Sequence, residues 1–216
     1  MANLSPHFRD IILQYPITLM EGNLRHFLGR SDKLGYRFKH ISEIGTFCGG
    51  TAHLLAQHYP RARVHTVDLN EWDTYFRPNN PNESIRTAVQ HRYQHHHNLH
   101  IDIPEQIPDI QEFYSSINPN LTFHTKTLDL TGSDLIVLDG DHTTTGVQQD
   151  FLQIQEQAPY ALLICDDTHF VHINKFILQN ARKYNYTIVG PYRNRSYILL
   201  KPKNWLPNAV LRGYSS

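Results

Sequence analysis

Ile41-Ser42-Glu43-Ile44-Gly45-Thr46-Phe47-Cys48-Gly49-Gly50-Thr51 reads as a strand, a glycine turn and the start of a helix. Glycines there let the backbone turn sharply and approach a ligand with no Cβ in the way. The helix that follows, Thr51 to His58, carries Ala52, Leu55 and Ala56 on one side, and its first turn offers unpaired N–H groups. Working outward, Arg63 to Val67 is a second strand, ending at Asp68. Leu121 to Thr125 and Asp134 to Leu138 are a third and a fourth, the latter ending at Asp139. A helix with Val147, Phe151 and Ile154 on one face comes next, then a strand from Tyr160 to Cys165 that ends at Asp166-Asp167. A helix from His172 to Lys183 precedes two last strands, Tyr186 to Val189 and Ser196 to Leu200. Strands alternating with helices predict an α/β fold, a mostly parallel sheet with helices on both faces. The last two strands are joined too tightly for a parallel crossover, so they must be antiparallel neighbours.

With 216 residues, 40% of them apolar, the chain suits one α/β domain with a sizeable core. Lysine plus arginine equals aspartate plus glutamate, 20 each. That balance disfavours nucleic acid as the main partner, since nucleic acid binders usually carry a basic stripe. The longest apolar run, Ala161 to Cys165, is far short of a membrane span. The opening Met1-Ala2-Asn3-Leu4-Ser5-Pro6 has no basic-then-apolar pattern, so a cytoplasmic enzyme is expected. Cys48 and Cys165 each sit beside an apolar run and read as reduced core thiols. Whether the chain forms a homodimer stays open.

Ser5-Pro6 is a helix start, followed at helical spacing by Phe8, Ile11, Ile12 and Tyr15. Residues 1–39 therefore read as a helical extension that packs outside the sheet or over the site. Residues 70–118 are far longer than a usual connection and hold Trp72, Tyr75, Phe76, Tyr93, Phe113 and Tyr114. Part must be the crossover helix; the rest suits a lid or substrate wall. Among 15 histidines, His91, the run His95-His96-His97 and His100 cluster here. Adjacent histidines on a helix point in different directions, so they read as a solvated helix.

A dinucleotide fingerprint needs glycine at position 47, where Phe47 stands. The observed pattern, Glu43-x-Gly45-x-x-x-Gly49, resembles the first motif of class I S-adenosylmethionine-dependent methyltransferases. Asp68 lies 23 residues beyond Gly45, at the end of the next strand. A carboxylate there can accept hydrogen bonds from both ribose hydroxyls. Glu43, Gly45, Thr46, Gly49, Asp68 and Asp139 are the expected contacts for S-adenosyl-L-methionine.

Two further strand ends are acidic: Leu138-Asp139-Gly140-Asp141-His142 and Cys165-Asp166-Asp167-Thr168-His169. If those strands are neighbours, their ends lie roughly 5 Å apart. Crowded carboxylates repel unless something positive sits among them. A divalent cation, most simply Mg²⁺, held by Asp139, Asp166 and Asp167 is the expected answer. Asp-Gly-Asp-His followed by Thr143-Thr144-Thr145-Gly146-Val147 resembles a family of small-molecule O-methyltransferases. It includes the macrocin-type sugar methyltransferases and proteins labelled cephalosporin hydroxylases. Its members read Ser-Tyr-Glu where this chain has Thr143, Thr144 and Thr145. The Asp166-Asp167 pair resembles the metal ligands of catechol-type O-methyltransferases. The likeness covers roughly residues 40–200. It implies a Rossmann-like, seven-stranded sheet with the last strand antiparallel to the rest. It further implies transfer of methyl from sulfonium to a hydroxyl oxygen, on a sugar or other polyhydroxylated metabolite.

On that reading His142 stands where catechol-type enzymes carry a catalytic lysine, and imidazole titrates near neutral pH. Asp141 is the rival base, and His169 suits a supporting role. Two alternatives remain. An aminopropyltransferase shares the fold and uses carboxylates to hold a polyamine. A methyltransferase-like binding protein that has lost turnover would keep only the cofactor site.

Overall fold

The glycine turn joins two strands that pair in parallel: β1 (His40–Ile44) and β2 (Arg63–Val67), with Ile44 opposite Val67. The computed structural model describes residues 4–18, 21–68, 107–192 and 196–200, and positions 87, 90, 91, 93–95 and 97. Between β1 and β2 runs the crossover helix α3 (Gly50–His58). The other strands are β3 (Leu121–His124), β4 (Leu135–Leu138), β5 (Leu162–Cys165), β6 (Thr187–Tyr192) and β7 (Ser196–Leu200). They form one seven-stranded sheet in the order β3-β2-β1-β4-β5-β7-β6. β7 runs antiparallel to both β5 and β6, and the remaining pairs are parallel. β4 and β5 are buried along their whole length, as unbroken apolar runs covered on both faces must be.

The order reverses between β1 and β4. Their following loops diverge there and leave a crevice at the carboxyl ends, where open α/β sheets bind ligands. Asp68, Asp139 and Asp166 each directly follow a strand at that rim.

Helices cover both faces. One face carries α1 (Pro6–Gln14), α2 (Glu21–Leu34), α3 and α4 (Ile107–Ile117). The other carries α5 (Thr144–Gln157) and α6 (Val171–Lys183). Ser5 caps α1 by accepting the Phe8 N–H at 3.2 Å, as expected of that residue before Pro6. Cys48 and Cys165 are buried and not disulfide-bonded. Among the described residues no helix is long and apolar enough to cross a membrane.

The helical extension holds two helices. α2 buries Leu24, Phe27, Leu28 and Ser31, a helical stripe whose polar member is satisfied by bonding the Leu28 carbonyl at 2.8 Å. The long 70–118 connection also shrinks. Its last part is α4, a crossover helix of the kind expected there, whose Ile107, Ile110, Phe113 and Tyr114 are core. Trp72, Tyr75, Phe76, His96 and His100 lie outside the described residues. Of the other histidines there, His91 and His95 are exposed, and the His97 ring stacks on Tyr15 with centroids 4.0 Å apart.

Candidate active site

The loop after β1 is braced by Asp68. Its Oδ2 accepts the N–H groups of Thr46 and Phe47, each at 3.0 Å. Those two bonds hold Phe47 in the left-handed region, φ 47°, which a bulky residue adopts only when its surroundings enforce it. Gln111 of α4 donates to the Phe47 carbonyl at 2.7 Å. Asp68 is partly exposed at the rim. Gly49 is the N-cap of α3 and provides no side-chain cap, so that helix start keeps N–H groups for other acceptors.

Glu43 lies beneath this loop, not in it. It is 1% exposed and accepts the Thr66 hydroxyl at 2.6 Å; that hydroxyl also meets Thr46 Oγ1 at 2.5 Å. Burial pushes the Glu43 carboxyl up to about 8, against the Thr66 bond, with Asp68's charge adding and a Thr51 bond opposing. At 1% exposure, little of Glu43 is open to the direct cofactor contact expected of it. The residue supports the turn from below through Thr66.

Gly45 has a structural reason beside the expected ligand approach. Its φ is 96°, and a Cβ there would lie 1.8 Å from the Asp139 carbonyl oxygen. The glycine is required because the loop after β4 crosses against it. That contact ties the glycine turn to the acidic rim.

β4 and β5 are neighbours, with Leu138 opposite Cys165, so the two acidic loops do share one edge. The grouping within them differs from expectation. Donor atoms of Asp139, His142 and Asp167 lie within 4.8 Å of one another. His142 Nε2 is 2.8 Å from Asp167 Oδ2, and His169 Nδ1 is 3.6 Å from Asp167 Oδ1. Asp167 is buried and left-handed, φ 53°, so the chain holds its carboxylate in a strained position. Asp166, expected in the metal set, stands outside this group and accepts the buried Ser196 hydroxyl. Asp141 lines the same cleft as Asp139 and His142, but Thr143 engages both its oxygens at 2.8 and 2.9 Å. It shapes the start of α5, where Thr143 accepts the Gly146 N–H at 3.0 Å. Asp141 also adds to the burial that raises the Asp150 carboxyl to about 6.

The sequence reading missed what the extension contributes. Thr18 Oγ1 meets Thr51 Oγ1 at 2.6 Å, and a Cβ on Gly50 would strike the Ile17 carbonyl oxygen at 2.2 Å. The segment thus lies against the start of α3. Five residues later Asn23 Nδ2 donates to Ser196 Oγ at 2.7 Å, at the far side of the rim. The paired glycines at 49 and 50 hinted at a second backbone crossing; nothing in the local pattern around Asn23 or Ser196 did.

Comparison with known proteins follows the same lines. Residues 42–168 match the family described as Methyltransferase domain. No curated protein matches. Among solved structures, the chain resembles a precorrin-6y C5,15-methyltransferase from Geobacter metallireducens, with a TM-score of 0.55 and 11% identity over 87% of this chain and 92% of that one. An O-methyltransferase from Bacillus cereus in complex with SAH gives 0.52 and 13%, over 92% and 93%. A putative caffeoyl-CoA O-methyltransferase from Staphylococcus aureus gives 0.51 and 14%, over the same shares. At these identities the likeness is one of fold. The family match carries more, since it takes in over half the chain and both loops described above. It favours methyl transfer over aminopropyl transfer: this chain belongs to the methyltransferase domain family, as a class I S-adenosylmethionine-dependent methyltransferase.

Proposed function

We propose that the chain methylates a hydroxyl oxygen of a small molecule, such as a sugar or other polyhydroxylated metabolite, at the rim formed by Asp139, His142 and Asp167. The observation that carries this is the convergence of their donor atoms within 4.8 Å at adjacent strand ends. The rim touches the glycine turn through Gly45 and Asp139. Asp68 and the backbone of Gly45, Thr46 and Gly49 would hold S-adenosylmethionine, with Glu43 supporting them. The cofactor supplies an electrophilic methyl on sulfonium. An O–CH₃ bond forms as the S–CH₃ bond breaks, and the hydroxyl proton must leave. On this reading His142 would take it. If Nε2–H donates to Asp167, the neutral ring carries its lone pair on Nδ1, and Asp167 stabilises the imidazolium that forms. The remaining catalysis is positioning of methyl, sulfur and oxygen in line.

The same three residues could instead hold a divalent cation, which would lower the pKa of a bound hydroxyl. Two carboxylates and an imidazole suit Mn²⁺ or Zn²⁺ better than Mg²⁺, which prefers oxygen ligands alone. That donor chemistry argues against the simple all-aspartate Mg²⁺ site. The 2.8 Å contact between His142 and Asp167 favours the metal-free dyad. We also take residues 1–216 as one domain; the lid or substrate wall expected within 70–118 falls largely outside the described residues.

The test is methyl transfer from S-adenosylmethionine to a panel of sugars, polyols and catechols. It is run untreated, in EDTA, and after return of Mg²⁺, Mn²⁺ or Zn²⁺. Full transfer in EDTA supports the dyad; loss, with recovery best in Mn²⁺ or Zn²⁺, supports the cation. No transfer to any hydroxyl overturns O-methylation.

A further inference from the structure

We propose that Asn23 grips a hydroxyl of the methyl acceptor, its side-chain Oδ1 serving as a fixed hydrogen-bond acceptor at the carboxyl rim; this rests on the methyl-transfer reading above. Asn23 sits in the first turn of α2 and is 9% exposed. Its Oδ1 is buried and has no hydrogen-bond partner among the described residues. A buried amide oxygen left unbonded is costly, and folded proteins rarely tolerate one without a use.

The orientation of the amide follows from its neighbours. Ser196 Oγ lies within hydrogen-bond reach of both Asn23 and Asp166 Oδ1. The Ser196 hydroxyl donates its single proton to Asp166 Oδ1. Ser196 must then accept from Asn23, which sets Nδ2 toward the serine and leaves Oδ1 as the amide atom with no partner. Turning the amide over would set oxygen against oxygen. Asp166, displaced from the expected metal set, thereby acquires a role: it fixes the polarity of a chain that ends in a directed acceptor.

The place is right for a substrate contact. Ser196 begins β7, which is antiparallel to β5, so it lies at the carboxyl rim. Asp166 follows β5 directly and precedes Asp167 of the candidate catalytic group. What an acceptor-only atom recognises is a donor, and the donor a methyl acceptor of this class carries is a second hydroxyl near the one that reacts. Asn23 is thus a binding and specificity residue, contributed by the extension.

The experiment begins with the SAH-loaded protein. Calorimetry against the same panel of sugars, polyols and catechols identifies its tightest ligand as the probe. Asn23→Ala should weaken the probe by about tenfold or more, with SAH affinity changed by less than about twofold. Singly deoxygenated forms of the probe sharpen this. One of them should lose affinity for the wild type and lose nothing further in Asn23→Ala. Equal probe affinity in variant and wild type overturns the proposal, as does the absence of any panel ligand. Should the variant not fold, a crystal structure of the wild type with SAH and the probe decides. A probe hydroxyl within about 3.2 Å of Oδ1 supports the proposal; an ordered water there, with the probe elsewhere, overturns it. Failure of SAH itself to bind sinks the methyl-transfer reading instead.

Discussion

At the ends of β1 and β2 the protein braces a loop with its own interior. Asp68 takes two backbone N–H groups, and Glu43, Thr66 and Thr46 form a buried ladder beneath. At the ends of β4 and β5 the chemistry sits in side chains that hold one another. His142, with its side chain 47% exposed, leans on Asp167, and His169 stands beside them. The first region is a rigid seat made mainly of backbone. The second is an adjustable cluster made of side chains. A seat tolerates few substitutions but does no proton chemistry; the cluster should accept substitution while losing rate. The contact between Gly45 and Asp139 is where the two meet, so it is the place to break the distinction.

Gly45→Ala should have the largest effect. Its Cβ would need the space of the Asp139 carbonyl, at a φ that L residues avoid, and the expected loss is about 4 kcal/mol or more. Urea unfolding measures it. A variant of wild-type stability would mean that the two loops are not locked together.

Glu43→Gln should remove a pH dependence from the seat. The folded-state pKa of Glu43 lies above its unfolded value, about 8 against 4.5. Its contribution is therefore fully present below about 4.5 and is lost as pH rises toward 8. The slope in that window is about 1.4 kcal/mol per pH unit. Stability of the variant relative to wild type should climb from pH 5 to pH 8. A flat difference would show that Glu43 is ionised throughout.

His142→Ala should leave the seat untouched and strike the cluster. The rate should fall about 10²- to 10⁴-fold, while SAH binds as before. Weaker SAH binding in this variant would erase the separation between the regions.

Asp68→Ala is the complement. It should weaken SAH by about 1.5 to 3 kcal/mol and slow methyl transfer at saturating cofactor only slightly. Calorimetry beside steady-state kinetics tells the two apart.

Asp166→Asn should matter least, costing about 1 kcal/mol of stability, because Asn Oδ1 can still accept from Ser196. If Mn²⁺ or Zn²⁺ binds the wild type, this variant should bind it equally, whereas Asp167→Asn should not. Loss of binding in Asp166→Asn would restore the all-aspartate site.

The same contrast explains what could be read from sequence. The seat is local: a strand, a turn and an aspartate one strand later, all within Ile41 to Asp68. Its spacing was visible, as were the sheet and its antiparallel last strand. The cluster depends on choices between neighbours. Asp166 and Asp167 are adjacent in sequence, yet one turns inward to Ser196 and the other outward to His142. Only the partner 30 residues away decides which, and no pattern near Asp166 announces it. Gly45 was legible as a turn glycine, but its close contact with the Asp139 carbonyl depends on the crossing of the β4 loop, which the local pattern does not display. α2 was missed because its apolar stripe is narrow and one of its buried members is Ser31, satisfied by contacts that the sequence does not display.

The bond between Asn23 and Ser196 joins residues 173 positions apart. During synthesis, α2 leaves the ribosome long before its partner exists. At typical elongation rates the wait is about 10 to 35 s. The glycine turn and β2 can pair early, while the acceptor side of the rim stays open until β7 arrives. A nascent chain cut short before Ser196 should therefore be able to assemble its cofactor seat and yet lack the wall that Asn23 completes, so competence for the cofactor precedes competence for the acceptor on the ribosome itself.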